Sequence, residues 1–178
     1  MNKLKEKYIK EVVPGMKKFL GVKNDMAVPK LIKVVISSGT GSKSDENKKK
    51  LVEKSLELIG GQKPYGNPAK KSISSFKLRE GMIIGYSVTL RGDRMYDFLE
   101  KLINVAIPRI RDFRGIDTSV IDEVGNLSIG IKEHIVFPET SDQDVREAFG
   151  LGITVVSGAK TKKEALEFFK LLGFPFKK

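Results

Sequence analysis

At 178 residues, with 40% apolar and 31% charged composition, the chain can build one domain with a substantial core, whereas two full domains would be cramped. A net charge of +11 and a pI near 9.7 draw the molecule toward polyanions, which makes RNA, DNA or an acidic membrane surface the partners to weigh. The absence of cysteine excludes disulfides, thiolate zinc sites and cysteine nucleophiles together, and it fits a reduced, cytoplasmic setting.

No apolar run reaches membrane-spanning length, and the charged stretch from Met1 to Val13 lacks the apolar centre of a signal peptide. Leu4, Tyr8, Val12 and Met16 repeat every four residues and predict a helix, with Pro14 marking a kink or boundary. The β-branched run from Leu31 to Ile36, with Lys33 inside it, predicts a strand that Gly39 and Gly41 break. Ser44 is the expected cap of the next helix, with Asp45 and Glu46 favoured by the positive end of its dipole. Val52, Leu56 and Ile59 share one face of that helix, and Gly60 is expected to stop it.

The central strand reads Met82 to Arg91. Its even positions, Met82, Ile84, Tyr86, Val88 and Leu90, are apolar, while Gly85, Ser87, Thr89 and Arg91 are small, polar or cationic. Successive strand side chains point to opposite faces, so one face suits a core and the other is flat, polar and positive. Such a face suits a nucleic acid backbone, although many antiparallel sheets simply turn one face to water. Asp93 is the expected cap of an amphipathic helix carrying Met95, Phe98, Leu99, Leu102, Ile103 and Ala106, which Pro108 ends. Residues 109–150 read as irregular, with turn signals at Gly115, Gly125-Asn126 and Gly150. Leu151, Ile153 and Val155 predict another strand with Gly152 and Thr154 on its other face. Thr161 and Glu164 form a capping box for a last helix whose Ala165, Phe168, Phe169 and Leu172 face inward before Gly173. With no repeat, low-complexity segment or long linker, the expectation is one α+β domain over residues 1–178. It is a mostly antiparallel sheet with helices packed on one face and the other face open.

Charge is uneven along this frame. Residues 62–91 carry six Lys/Arg against one Asp/Glu, whereas residues 115–152 carry two against eight and form an irregular acidic lobe. Carboxylates such as Asp117, Asp122, Glu139, Asp142 and Asp144 would be repelled by phosphate, so this lobe is expected to face away from RNA. A plain solvated loop is the alternative. Arg109, Arg111 and Arg114 place three guanidiniums around Phe113, an arrangement suited to phosphates and equally to a solvated turn anchored by Phe113.

Enzyme readings fail on spacing. Gly39-Thr40-Gly41 lies between strand and helix, but a dinucleotide fingerprint needs glycine where Ser44 stands. A phosphate loop needs one where Ile36 stands, and Lys43 does not follow Gly41 directly. The glycines then serve a tight turn or a close backbone approach to phosphate. His134, the only histidine, has no ligand company at metal spacing. Asp122 and Glu123 face apart in a hairpin, and the serines at 37, 38, 72, 74 and 75 lack an evident base. The expectation is no catalytic residue, no metal and no cofactor.

Specific motifs go further. They are Gly61-Gln62-Lys63-Pro64, Ala69-Lys70-Lys71-Ser72 through Phe76-Lys77-Leu78-Arg79-Glu80-Gly81, and Val88-Thr89-Leu90-Arg91-Gly92. Arg94-Met95-Tyr96, Pro108 to Gly115, Gly125-Asn126, Gly130-Ile131-Lys132-Glu133, Phe137-Pro138-Glu139 and Phe174-Pro175-Phe176 follow in order. On these residues the whole chain resembles the bacterial large-subunit ribosomal protein L-five family, a universal family that binds 5S rRNA. The resemblance implies a structural protein of the central protuberance, without enzymatic activity, working in translation. It implies an rRNA surface at Lys33, Ser37, Gln62, Lys63, Thr89 and Arg91. It implies a mobile loop over 72–81 that reaches peptidyl-site tRNA through Ser74, Phe76, Lys77 and Arg79. It also implies an intersubunit bridge to a small-subunit head protein, for which Glu139, Asp142 and Asp144 are the candidates here. Large-subunit rRNA and neighbouring large-subunit proteins are further candidate partners, and no membrane is. One departure stands out: the family commonly has Asn and then an apolar residue before its Gly-x-Gly, where this chain has Ser37-Ser38. Serine bonds with shorter reach and no amide donor pair.

Two rivals make different demands. A nucleotide-dependent enzyme using the Gly39–Gly41 turn would bind ATP or NAD at micromolar concentration. A free RNA chaperone would fail to sediment with ribosomal subunits.

Overall fold

Two prolines shape the helices. In the computed structural model, which describes residues 3–41, 46–142 and 148–177, α1 (Lys3–Lys7) widens into a π turn at Tyr8–Val12 and continues as α2 (Val13–Leu20). Pro14 has no N–H, and its ring crowds the carbonyl four residues back. The chain answers with one wide turn, in which the Val13 N–H donates to the Tyr8 carbonyl five residues back. The same device recurs before Pro108. There α4 (Gly92–Lys101) opens into a π turn at Leu102–Ala106, and the Ile107 N–H donates to the Leu102 carbonyl. Pro14 is therefore no boundary. A four-residue stripe drifts off a face that repeats every 3.6 residues, and the wide turn brings it back. Leu4, Val12 and Met16 are all buried.

The strands are β1 (Leu31–Gly39), β2 (Tyr65–Pro68), β3 (Ile83–Leu90), β4 (Leu127–Ile131) and β5 (Leu151–Ser157). They form one five-stranded sheet in the order β2-β3-β1-β5-β4, which bears out the α+β class. β2 and β4 lie outside the expected strands, and β4 corrects the reading of 109–150 as irregular throughout. The alternation expected from Met82 holds from Tyr86 to Leu90 but is interrupted below. Asn67 pairs with Gly85 and Pro68 with Ile83, so Ile84 is an extra residue, a bulge opposite the proline-bearing edge strand. Two compact units are present, with boundaries inside strands. One comprises the residues up to 34, 90–129 and from 154 onward, the other residues 35–89 and 130–153.

In the first unit, α5 (Lys162–Leu172) starts as its sequence predicts. Thr161 Oγ1 accepts the Glu164 N–H at 3.3 Å, while Glu164 Oε2 accepts from Lys160 rather than from Thr161. Phe168 and Phe169 are fully buried and continue edge-to-face to Tyr8 and Phe174. The expected cap at Asp93 is corrected. α4 begins at Gly92 with Arg91 in the capping position, and Asp93, one residue inside, pairs with Lys5 Nζ at 2.7 Å. Ile103 is half-exposed where burial is expected.

In the second unit, α3 (Glu46–Gly60) buries Val52, Leu56 and Ile59. Gly60 is still helical and buried, and Gly61, at φ +67°, makes the left-handed exit expected one residue earlier. A Cβ on Gly60 would lie 3.0 Å from Val88 Cγ1, so α3 rests on the inward face of β3. Ser44 and Asp45, the expected cap and first turn, lie outside the described residues.

Candidate nucleic-acid interface

The second unit carries the polar face. Residues directly opposite in an antiparallel pair share a face, so Tyr65 lies with Ser87, and Asn67 with Gly85. Ser87 Oγ donates to Asn67 Oδ1 at 3.2 Å, which ties the outer strand to β3 on this side. Thr89 follows Ser87 on the same face, and Gln62 Nε2 donates to the Thr89 carbonyl at 3.0 Å. Tyr86, Val88 and Leu90 point the other way and are buried. Gly85 belongs to this row for a reason alternation does not give. A Cβ there would lie 2.7 Å from the Ser38 carbonyl oxygen, so close approach of β1 demands glycine.

On β1, Ser37 is exposed and Ser38 buried. Ser38 Oγ donates to the Gly150 carbonyl at 2.8 Å, and Ser37 Oγ makes a long bond to the Gly152 carbonyl at 3.4 Å. The serine pair thus has different tasks: Ser38 fixes β5 from the core side, and Ser37 lies on the outer side. Of the expected rRNA residues in this unit, Ser37 and Lys63 are exposed, and Gln62 and Thr89 are half-exposed. In the other unit Lys33 is half-exposed and Arg91 exposed.

The Gly39–Gly41 turn is no phosphate cradle. The Thr40 and Gly41 N–H groups both donate to the Ile84 carbonyl, at 2.9 and 3.1 Å, so neither points to a ligand. His134 is fully buried and stacked 3.9 Å from Phe149. Its Nδ1 accepts the Phe149 N–H, and its carbonyl accepts from Thr140 Oγ1 at 2.8 Å. That is a structural histidine. Among the described residues no three metal-binding side chains cluster, and no helix is long and apolar enough to cross a membrane.

The segment 69–82 is built from its own backbone. Ala69 and Met82 close its base, with Ala69 N–H on the Met82 carbonyl at 2.8 Å. Ile73 and Leu78 exchange both backbone bonds near the tip, and Lys77 adopts a left-handed φ of 51°. Ser72 Oγ accepts the Glu80 N–H at 2.9 Å. Ser74, Phe76, Lys77 and Arg79 are all exposed, Phe76 by 64%.

The acidic stretch is more ordered than its sequence implies. Asp117 caps a short turn, accepting the Ser119 N–H at 3.0 Å; that bond, a Ser119 side-chain bond and the charges of Lys177 and Lys162 lower its pKa. Burial raises the pKa of Asp122, but backbone and side-chain bonds from Asn126, with the Gly125 and Val124 amides, outweigh it and leave it lowered. These two carboxylates shape turns. Glu139 and Asp142 are exposed, and Asp144 lies outside the described residues.

The arginine segment also gains context in the first unit. The Ile116 N–H donates to the Pro175 carbonyl at 2.8 Å, and the Lys177 N–H to the Ile116 carbonyl at 2.9 Å. A Cβ on Gly115 would lie 2.9 Å from the Lys177 nitrogen. The C-terminal segment, through an isolated parallel bridge between Ile116 and Phe176, thus lays Lys177 against Gly115, a neighbourhood no local pattern reveals. Arg109, Arg111, Arg114 and Lys177 are exposed, and Phe113 is half-buried.

A basic α+β protein with a hydrogen-bonded polar sheet face, and no chemistry assembled on it, has the makings of an RNA-binding protein. Family models agree. Residues 24–79 match ribosomal protein L5, and residues 83–176 match the C-terminus of the same ribosomal protein family. Among curated relatives, the large ribosomal subunit protein uL5 of Desulforapulum autotrophicum is 52% identical, covering 99% of each chain. Those of Dictyoglomus turgidum and Streptococcus sanguinis are 51% and 48% identical, covering 100% and 99% of each chain. The chain belongs to the ribosomal protein L5 family. It is accordingly a structural, non-enzymatic constituent of the large ribosomal subunit, associated with rRNA and acting in translation on cytoplasmic ribosomes.

Proposed function

We propose that the outer sheet face binds 5S rRNA. The observation that carries this is the row formed by Ser87, Thr89 and Asn67. Val88 turns inward against α3, the Ser87 and Asn67 side chains hold each other, and the Gln62 side chain is itself anchored on the Thr89 backbone carbonyl. Ser87, Asn67 and Gln62 have therefore given up side-chain freedom before RNA arrives, which lowers the entropic cost of binding. Ser37 and Lys63 add a hydroxyl and a charge in the same unit; Lys33 and Arg91 are the cationic rRNA candidates of the other unit, taken by itself. Thr89→Ala and Arg91→Ala should each weaken 5S rRNA binding by about 1–3 kcal/mol with the fold intact by circular dichroism. Unchanged binding by the double variant would sink the assignment.

Within the same reading, the 72–81 loop contacts peptidyl-site tRNA through Ser74, Phe76, Lys77 and Arg79. The supporting observation is a self-bonded tip that presents Phe76 and the two cations to solvent. Glu139, Asp142 and Asp144 meet a basic small-subunit head protein. What supports this is that Glu139 and Asp142 are exposed, whereas Asp117 and Asp122 are engaged in shaping turns. Arg109, Arg111, Arg114 and Lys177 suit phosphates of large-subunit rRNA.

A further inference from the structure

We propose that Tyr65 is a stacking platform for an unpaired RNA base. The inference rests on the reading that the outer face meets 5S rRNA. Three observations point to it. Tyr65 pairs with Ser87 across β2 and β3, so its side chain leaves the sheet on the Ser87, Thr89 and Asn67 side. The residue is 67% exposed, and its ring is a large flat surface beside the short polar side chains Ser87, Thr89 and Asn67. Lys63, two residues earlier, is exposed, while Pro64 between them is buried.

The chemistry follows from the shape of that surface. Ser87, Thr89 and Asn67 are short groups that offer hydrogen bonds but little area. A ring on the outermost strand of the sheet presents a flat π surface, on which any base stacks regardless of identity. Stacking would add affinity with little sequence preference, and the polar row beside the ring would supply the directional bonds. A tyrosine that merely covers its cross-strand neighbour would be replaced without loss by leucine.

The chain contains no tryptophan, so Tyr65→Trp introduces a unique indole reporter. With the full chain and a 5S rRNA transcript, the emission of Tyr65→Trp should be quenched in step with binding. Tyr65→Phe and Tyr65→Trp should bind within about threefold of the native protein, whereas Tyr65→Leu should bind roughly ten- to a hundredfold more weakly. Because no charge changes, the Tyr65→Leu loss should be the same at every salt concentration and leave the log–log slope unaltered. Native affinity in Tyr65→Leu, or unquenched emission at saturating RNA, overturns the proposal. If Thr89→Ala with Arg91→Ala weakens binding while Tyr65→Leu does not, the stacking role falls and the 5S rRNA reading stands. If neither affects binding, both fall.

Discussion

The outer face of β3 and the loop that leads into it are both polar parts of one unit, built on opposite terms. On the face, cations are few, and the polar groups are neutral and partly covered: the Gln62 side chain bonds the Thr89 carbonyl, and Ser87 bonds Asn67. In the loop, Lys70, Lys71, Lys77 and Arg79 are exposed, and the bonds that shape it run between backbone groups, Ile73 with Leu78 and Ala69 with Met82. The difference separates two means of meeting RNA. Fixed neutral groups discriminate by geometry, whereas exposed cations attract phosphate over distance and lose that attraction to salt. Net charge, the feature that first points to nucleic acid, therefore describes the loop better than the recognition face.

The strongest way to break this contrast is to destroy the face alone. Gly85→Val would drive a side chain into the Ser38 carbonyl, 2.7 Å from the first added carbon. Overpacking of this kind costs about 1–3 kcal/mol or more. Urea unfolding should show the loss together with lost 5S rRNA binding; native stability would mean that β1 and β3 are not so closely apposed. A sharper cut replaces residues 73–78 with a Gly/Ser link, which removes Phe76 and Lys77 but keeps the Ala69–Met82 base. 5S rRNA affinity should stay within about threefold while tRNA retention on assembled ribosomes falls by roughly tenfold, on the scale of one lost stacked or charged contact. The reverse outcome would exchange the two roles. Smaller still, Glu139→Lys with Asp142→Lys should leave 5S rRNA binding unchanged or slightly tighter and weaken subunit association at low salt. Exposed pairs are worth only about 0–1 kcal/mol each, so the defect should vanish as salt rises.

The smallest expected effect is a pH dependence. The Lys5 hydrogen bond, and then its charge, hold the Asp93 pKa below the ordinary carboxylate value, and the same contact raises that of Lys5. A depressed carboxylate stabilises the fold above its unfolded pKa, and that contribution disappears as pH falls through the folded value. Native protein and Asp93→Asn should therefore differ slightly in thermal stability near neutrality and converge in strong acid. A gap that widens in acid would contradict the pairing.

How much of this was legible depended on the period of each element. β3, β5 and α5 were readable because Tyr86-Val88-Leu90, Leu151-Ile153-Val155 and Ala165-Phe168-Phe169-Leu172 repeat over several turns or pleats. β2 was invisible, since four residues containing Gly66 and Pro68 carry no strand pattern, and the face of Tyr65 was hidden with it. β4 carries no legible strand pattern because Ser128 and Gly130 dilute a run of only five residues. The bulge at Ile84 was out of reach because it arises from pairing with Pro68, a partner not known to be a strand. Gly85 read as a small outward residue, whereas its role depends on the Ser38 backbone. The division of labour between Ser37 and Ser38 likewise depends on carbonyls at Gly150 and Gly152, far along the chain.

The most direct test of the central claim is a salt-titrated comparison of binding to 5S rRNA, tRNA and duplex DNA, for the native chain and the Thr89→Ala, Arg91→Ala double variant. If the outer face recognises 5S rRNA, the native chain keeps a preference for it as salt rises from about 50 to 200 mM and electrostatic attraction weakens. The double variant should lose that preference while its tRNA and duplex affinities change by little more than one lost phosphate contact. A native chain that binds all three with the same steep salt slope, or a double variant that keeps the full 5S rRNA preference, would contradict it.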